Sequence, residues 1–429
     1  MAIRRGLFVL GLAALLTLFV TGLAFSGGQA EETTADDEVV LTWSMWAATD
    51  TEEEQWQELA DDVNREHPNI RVELETTGWS AYWTRLTTQL ASRTQPDIIA
   101  MQSLRALGFY SLGGFQPLTP FIENDPDIDM DDFDDGMIEA LSHEGEVLGL
   151  PYDAGPLIMF YNVELFEEHG IDPPGADTTW SDFVEIAAEL TDGDSYGYAT
   201  TAVLDQMLPF IASAGGNYWD VDAGRYDLTH PGVEEGLQYV TDLMNEHEVI
   251  RPIDEPGNPN FSREQFYTGT IGMIIEGPWQ ATNIRANADF EVGMAPIPAG
   301  PEGRRTPVAG SGFAMSADTE HPEEAYLAIR TITSSESLSK LAEWGRGFPA
   351  RDSAVDAYYE GQDEIRGLEW IEGSLENSFA QLGPPEYQEF QNIFNEELEA
   401  LLFGQTTDAR QVLEEITRRV SANIEIAPF

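Results

Sequence analysis

Between Val39 and Met101 short apolar runs alternate with amphipathic stretches, and this alternation limits the possible folds more than any other feature of the sequence. Val39-Val-Leu-Thr-Trp43 has the length and composition of a buried strand. Thr51 to Glu66 places Trp56, Leu59, Ala60 and Val63 on one helical face and stops at His67-Pro68. Ile70, Val72 and Leu74 alternate as a strand, Ser80 to Ser92 carries Tyr82, Leu86 and Leu90 at helical spacing, and Pro96-Asp-Ile-Ile-Ala-Met101 is a further buried strand. Strand and helix in turn predict an α/β layer, a parallel sheet with helices on both faces. Ligands of such sheets bind beyond the carboxyl ends of the strands. Here those ends are Ser44-Met-Trp46, Thr77-Gly-Trp79 and Gln102-Ser103.

The stretch Val147 to Phe166 breaks this rhythm. An apolar run meets Pro151, carries Tyr152 and Asp153 past Ala154-Gly-Pro156, and resumes as a strand from Leu157 to Tyr161. Such a Gly/Pro-flanked passage predicts a crossing between two lobes. Beyond it the helical pattern returns at Trp180 to Leu190, Asp205 to Ala214 and Pro231 to His247, and Phe266 to Trp279 reads as a glycine-punctuated strand ending in an exposed tryptophan. The Gly/Pro-rich loop Ile297 to Thr306 leads into Val308 to Met315 as a second crossing. After a helix from Pro322 to Ser334, Trp344-Gly-Arg-Gly-Phe-Pro-Ala-Arg351 has the turn chemistry of a third. Helices near Tyr387 to Phe403 and Asp408 to Ile424 close the second lobe.

Charge narrows the choice of partner. The 429 residues include 77 Asp and Glu against 21 Lys and Arg, a formal charge of -56, with Lys340 the sole lysine. Such a polyanion repels nucleic acid and anionic membrane surfaces. Its carboxylates are spread along the whole chain, and at 1 M salt a Debye length of about 3 Å removes most of the repulsion between exposed groups. The acidity therefore reads as a surface adapted to high salt. The rival, a surface for a cationic ligand or for calcium, is tested by the densest run, Asp125 to Gly136: an EF-hand loop needs Gly at its sixth position and Glu at its twelfth, where this run has Met130 and Gly136. No metal site is expected.

Met1-Ala-Ile-Arg-Arg5, the apolar run Gly6 to Phe25 and Ser26-Gly-Gly-Gln-Ala30 have the three regions of a secretory signal peptide, residues 1–30, followed by a polar tether, 31–38. The apolar run is also long enough to be retained as an anchor, and Arg4-Arg5 allows twin-arginine export. With no cysteine in the chain, disulfides, thiolate chemistry and an N-terminal lipid thioether are excluded, which favours a periplasmic or freely secreted protein.

Catalytic signatures are sparse. There is no His-Glu-x-x-His, Gly310-Ser-Gly312 lacks the spacing of a nucleophile elbow, and Lys340 follows no glycine-rich phosphate loop, so the chain is not a transport ATPase. A secreted hydrolase or lyase with two carboxylates about 5 to 9.5 Å apart stays open as the alternative, because sequence spacing cannot reveal such a pair.

Several of these pieces occur together in the order of a known family: the strand Leu41 to Trp46, Gln95-Pro-Asp-Ile-Ile99, Leu112 to Pro120, Gly149-Leu-Pro-Tyr-Asp153 with Phe160-Tyr-Asn162, Thr179-Trp180, Tyr267 to Met273, Gly277-Pro-Trp279, Gly310-Ser-Gly312 and Pro322 to Tyr326. In this the chain resembles the extracellular solute-binding protein family 1, the maltose-binding-protein-like sugar receptors of ABC importers. The resemblance implies a two-lobed periplasmic-binding-protein fold of type II, with 39–151 and 308–347 in one lobe and 152–307 and 348–429 in the other, closing on a mono- or oligosaccharide by hinge motion. It implies a non-catalytic monomer without cofactor that delivers its ligand to the transmembrane permease subunits of an importer with a separate ATPase. A non-sugar solute is the second alternative.

Sugars are held by aromatic faces stacked on their C–H faces and by planar polar groups that satisfy their hydroxyls. The resemblance points to Trp279 as a stacking residue, to Gln102 and Ser103 as polar contacts, and to Tyr152 and Asp153 at the first crossing. Trp46 and Trp79 lie beyond strand ends, Ser311 sits between two glycines, and Arg346 or Arg351 can reach a ligand from the third crossing. Trp219 reads as structural. Ala47-Ala-Thr-Asp50 has no lysine beside its acid, so maltose-type hydroxyl contacts are not expected there.

Overall fold

In the computed structural model the described residues are 38–221 and 223–424; the expected signal peptide and nearly all of the tether lie outside them. Strand β1 (Val39–Trp46), helix α1 (Asp50–Glu66), strand β2 (Ile70–Thr77), helix α2 (Trp79–Ser92), strand β3 (Ile98–Gln102) and helix α3 (Ser103–Ser111) follow each other with short turns. Local chemistry sets their limits. The Thr49 hydroxyl accepts from Glu52 N at 3.2 Å, and Asp50, Glu52 and Glu53 fill the first turn of α1, where carboxylates meet the positive end of the helix dipole. At its other end α2 closes on Arg93, in the left-handed region at φ 54°.

β1 pairs in parallel with β2 along its whole length and with β3 at Trp43 and Ser44. The sheet is mixed rather than all-parallel, because β3 also pairs antiparallel with the long strand Thr306–Ser316. That strand arrives from the other half of the molecule and so enters at the carboxyl ends of β1 to β3, running against them. Its far side carries Gly149–Pro156, also antiparallel. A second sheet of four strands lies in the order Val292–Ala295, Ile158–Asn162, Ile271–Glu276, Tyr196–Tyr198. The expected strand from Phe266 to Trp279 is therefore shorter: Phe261–Phe266 is helical and Pro278–Gln280 is a turn of 3₁₀ helix.

Each sheet has its own apolar core. Trp43, Trp56, Tyr82, Leu86, Ile98, Phe313 and Ile329 fill the first; Ile158, Phe160, Ile274, Phe183, Leu237 and Phe394 belong to two clusters around the second. Helix Tyr387–Leu402 packs in the second half, burying Tyr387, Phe390, Phe394, Leu398 and Leu401 at helical spacing. Among the described residues no helix is long and apolar enough to cross a membrane.

Candidate functional site

The chain passes between the two sheets at three places, and the three passages lie side by side. Gly149–Pro156 runs on into Ile158–Asn162 of the second sheet, while Thr306–Ser316 returns from it. They pair from Val308 opposite Pro156 to Ala314 opposite Gly149, with a shift of register between Ser311 and Gly312. A bulge of this kind bends a strand and re-aims side chains; here it falls opposite Tyr152 and Asp153. The glycines flanking Ser311 are required by close approach, since a Cβ on Gly310 would come within 2.3 Å of Asp153 O and one on Gly312 within 2.4 Å of Leu150 O. The third passage joins through Ala154 N to Phe348 O (2.9 Å) and Ala350 N to Tyr152 O (3.2 Å).

Asp153 ties all three together. It pairs with Ser311 in the ladder and with Pro349 in an isolated bridge; its Oδ1 accepts from Ser311 N at 2.6 Å; its Cβ fills the space a side chain on Gly347 would need. Burial pushes its carboxyl up to about 7, against the pull of the Ser311 amide and the Arg346 guanidinium. Tyr152 is equally buried, stacked on Phe313 at 5.1 Å with its edge toward Trp56. Its ring belongs to the core of the first half.

On the first-sheet side, the carboxyl ends of β1 and β2 bring four aromatic residues together. Trp46 meets Trp79 edge-on at 4.9 Å, Tyr82 at 5.2 Å and Trp83 at 5.5 Å. Trp79, which opens α2, keeps 39% of its surface exposed. Gln102, at the end of β3, directs its carbonyl oxygen to Arg105 Nη1, one turn along α3. Ser103 Oγ accepts from Gly310 N at 3.4 Å, so this buried hydroxyl is engaged with the second passage.

On the second-sheet side, Trp279 is half-buried with its ring against two glycines: a Cβ on Gly155 would come within 3.3 Å of it, and one on Gly277 within 2.2 Å. Beside it Asn283 reaches the first half, donating to Glu52 Oε1 at 3.2 Å. The same carboxylate forms an ion pair of 2.6 Å with Arg346 and accepts from Ala48 N at 2.7 Å. Arg346 is thus committed to Glu52, although its buried Nε has no hydrogen-bond partner. Arg351 is structural, paired with Asp132 at 2.9 Å, donating to Thr333 O at 2.7 Å and lying on the Phe133 ring. Trp219 is buried against Tyr226.

Of the expected residues, Trp46 and Trp79 form one cluster and Tyr152, Asp153, Ser311 and Arg346 another, with Trp279 against the first passage. Sequence reasoning missed Arg105 and the residues that meet it. Arg105 donates to Gln391 Oε1 at 2.9 Å and to Gln388 Oε1 at 3.3 Å, both on helix Tyr387–Leu402 of the second half, and its guanidinium lies over the rings of Trp79, Trp83 and Tyr387. Tyr387 Oη in turn donates to Asp205 Oδ1 at 3.1 Å. Burial raises the Asp205 carboxyl above its ordinary range while Arg105 and Tyr387 oppose it. An arginine three residues past a strand end, in a chain so poor in cations, was the available signal; nothing local marks Gln388 or Gln391. Among the described residues no three His, Asp or Glu side chains are grouped to hold a metal ion.

The family model described as bacterial extracellular solute-binding protein matches residues 47–338. The arabinooligosaccharide-binding protein of Halalkalibacterium halodurans is 26% identical over 392 residues, 84% of this chain and 85% of that one. Among solved structures, an ABC substrate-binding protein of Listeria monocytogenes in complex with cycloalternan superposes with a TM-score of 0.80 at 21% identity, covering 90% of this chain and 99% of the other. Maltose-bound MalE3 of T. maritima does so with a TM-score of 0.76 at 20% identity, covering 90% and 100%. At those identities the likeness to the solved structures is one of fold.

Proposed function

The chain belongs to the bacterial extracellular solute-binding protein family and has its two-lobed α/β fold, and on that premise we propose that it is the substrate-binding component of an ABC importer, taking a mono- or oligosaccharide between its lobes. The lobes are residues 39–151 with 308–347 and 152–307 with 348–429. What supports this reading is that Trp46 and Trp79 stand at strand ends of the first sheet, while Trp279 follows a strand of the second and packs against the first of three hydrogen-bonded passages. Aromatic faces presented from two bodies that share a hinge are what a flat, hydroxylated ring needs. The sugar specificity of relatives such as the arabinooligosaccharide-binding protein supports the same class of ligand.

The mechanism is a population shift. A ligand that contacts both lobes binds the closed arrangement more tightly than the open one and moves the equilibrium by that difference in affinity. The closed form, a monomer outside the cytoplasm, then docks on the permease subunits, whose separate ATPase drives transport. No covalent chemistry, metal or cofactor enters. The polar groups at the hinge are read as hydroxyl partners and structural ties, and no pair of carboxylates as an acid and base.

The test begins with a thermal-shift screen of sugars in molar salt. Calorimetry then compares the wild type with Trp279→Ala, which is expected to bind the best sugar at least tenfold more weakly, about 1.4 kcal/mol, with its melting transition retained. Unchanged affinity removes Trp279 from the site. Turnover of a polysaccharide by the purified protein would replace the receptor reading with the hydrolase one.

A further inference from the structure

Three arginines are buried among the described residues: Arg105 at 4% exposure, Arg351 at 6% and Arg346 at 7%. Two have carboxylates in direct contact, Asp132 at 2.9 Å from Arg351 and Glu52 at 2.6 Å from Arg346. Arg105 has none within ion-pair distance among the described residues, in a chain where acids outnumber bases 77 to 21. Its guanidinium is held by the amide oxygens of Gln102, Gln388 and Gln391. Amide oxygens satisfy N–H groups but carry only partial charge, so a buried cation with no carboxylate in contact is only partly compensated. The nearest acid, Asp205, reaches it only through Tyr387 and through Gln391, whose Nε2 lies 3.5 Å from Asp205 Oδ2.

Two further donors near Arg105 are unused. Tyr218, 1% exposed, has its hydroxyl within electrostatic reach of both Asp205 and Arg105 and adjacent to Gln381, 3% exposed. The two side chains lie close enough to act on each other but form no hydrogen bond of full geometry, with each other or with any other described group. A cation with no carboxylate in contact and two unsatisfied donors lie where α3 of the first half meets the helices of the second, beside the exposed Trp79. A neutral hydroxyl would satisfy one or two of these groups; an anionic oxygen pair satisfies the donors and supplies the missing charge.

We propose that Arg105 is a specificity residue for an anionic group on the saccharide, a carboxylate or a phosphate, with Tyr218 and Gln381 as its companion donors. The inference rests on the sugar-receptor reading above and narrows it from neutral sugars to sugar acids or sugar phosphates. Asp205, the acid of the cluster, accepts from Tyr387 Oη and lies 3.5 Å from Gln391 Nε2, so it holds the side chains behind Arg105.

The test is calorimetry of the full chain in molar salt with glucose, galactose, arabinose and maltose against glucuronate, galacturonate, digalacturonate and glucose 6-phosphate. At least one acid is expected to bind tenfold or more tightly than its neutral counterpart, uronates and the phosphate ester distinguishing the two anions. Arg105→Gln is expected to abolish that preference, lowering affinity for the acid at least tenfold more than affinity for its neutral counterpart, and Arg105→Lys to retain part of it. If Arg105→Gln does not fold, the comparison within the wild type and Arg105→Lys decides. Equal affinity for acid and neutral partners, or a preference that survives Arg105→Gln, overturns the inference and leaves the sugar receptor standing. No binding by any member of the panel overturns both.

Discussion

Asp153 joins all three passages between the sheets, and its ionisation has a calculable sign. An aspartate in the unfolded chain titrates near 3.9, whereas burial pushes the native carboxyl up to about 7. Between those values the native state holds a proton that the unfolded state has lost, so the contribution of Asp153 to stability is greatest below the unfolded value and declines as pH rises toward and through 7. Other carboxylates, such as Asp125 and Asp132, are held low in the native state and push in the opposite direction, so the effect is isolated as a difference. The melting temperature of wild type minus that of Asp153→Asn is expected to fall between pH 5 and pH 8; a flat difference would mean that the carboxyl titrates normally. The same variant tests coupling, because it keeps an acceptor for Ser311 N but alters the charge facing Arg346. It is expected to weaken ligand affinity and reduce ligand-induced compaction. Tyr152, its neighbour, shows how far single positions were legible: the motif marked the passage, but the register shift that turns the ring onto Phe313 is a property of two strands far apart in sequence.

At the scale of elements, the proposed closure would depend on how α3 meets the segment before helix Tyr387–Leu402. A Cβ on Gly108 would come within 2.1 Å of Pro385 O, and one on Gly383 within 2.2 Å of Leu104 O. Backbone touches backbone across the two halves at both places. Gly108→Ala is expected to lower ligand affinity at least tenfold, because the added methyl meets a backbone carbonyl and holds α3 off its partner, at a cost exceeding the gain of up to about 1 kcal/mol of alanine over glycine in a helix interior. Calorimetry showing unchanged affinity would mean that this contact does not govern closure. The first elements were readable from periodicity because apolar spacing and caps are local: Thr49 with Glu52, and His67 before Pro68, set the ends of α1. The antiparallel entry of Thr306–Ser316 was not, since strand direction depends on where the chain has been. Arg105 was missed for the same reason, its partners Gln388 and Gln391 lying almost three hundred residues away.

For the whole molecule, the charge of -56 leads to the expectation that salt governs stability. Many cations sit in exposed pairs, such as Arg410 with Glu234 and Arg366 with Glu167, and pairs of that kind contribute little. The remaining carboxylates repel one another, and salt relieves that repulsion. Raising KCl from 0.1 to 2 M is expected to raise the melting temperature by more than 10 °C; an unchanged or lower value would remove the salt-adapted reading. Two halves, three adjacent passages and aromatic faces on either side are what the proposed closure on a ligand needs. Small-angle scattering in 2 M KCl, with and without the best ligand of the sugar screen, tests this most directly. The account predicts a smaller radius of gyration and a narrower distance distribution on binding, diminished in Asp153→Asn; a ligand bound at saturation with no change in either would contradict it.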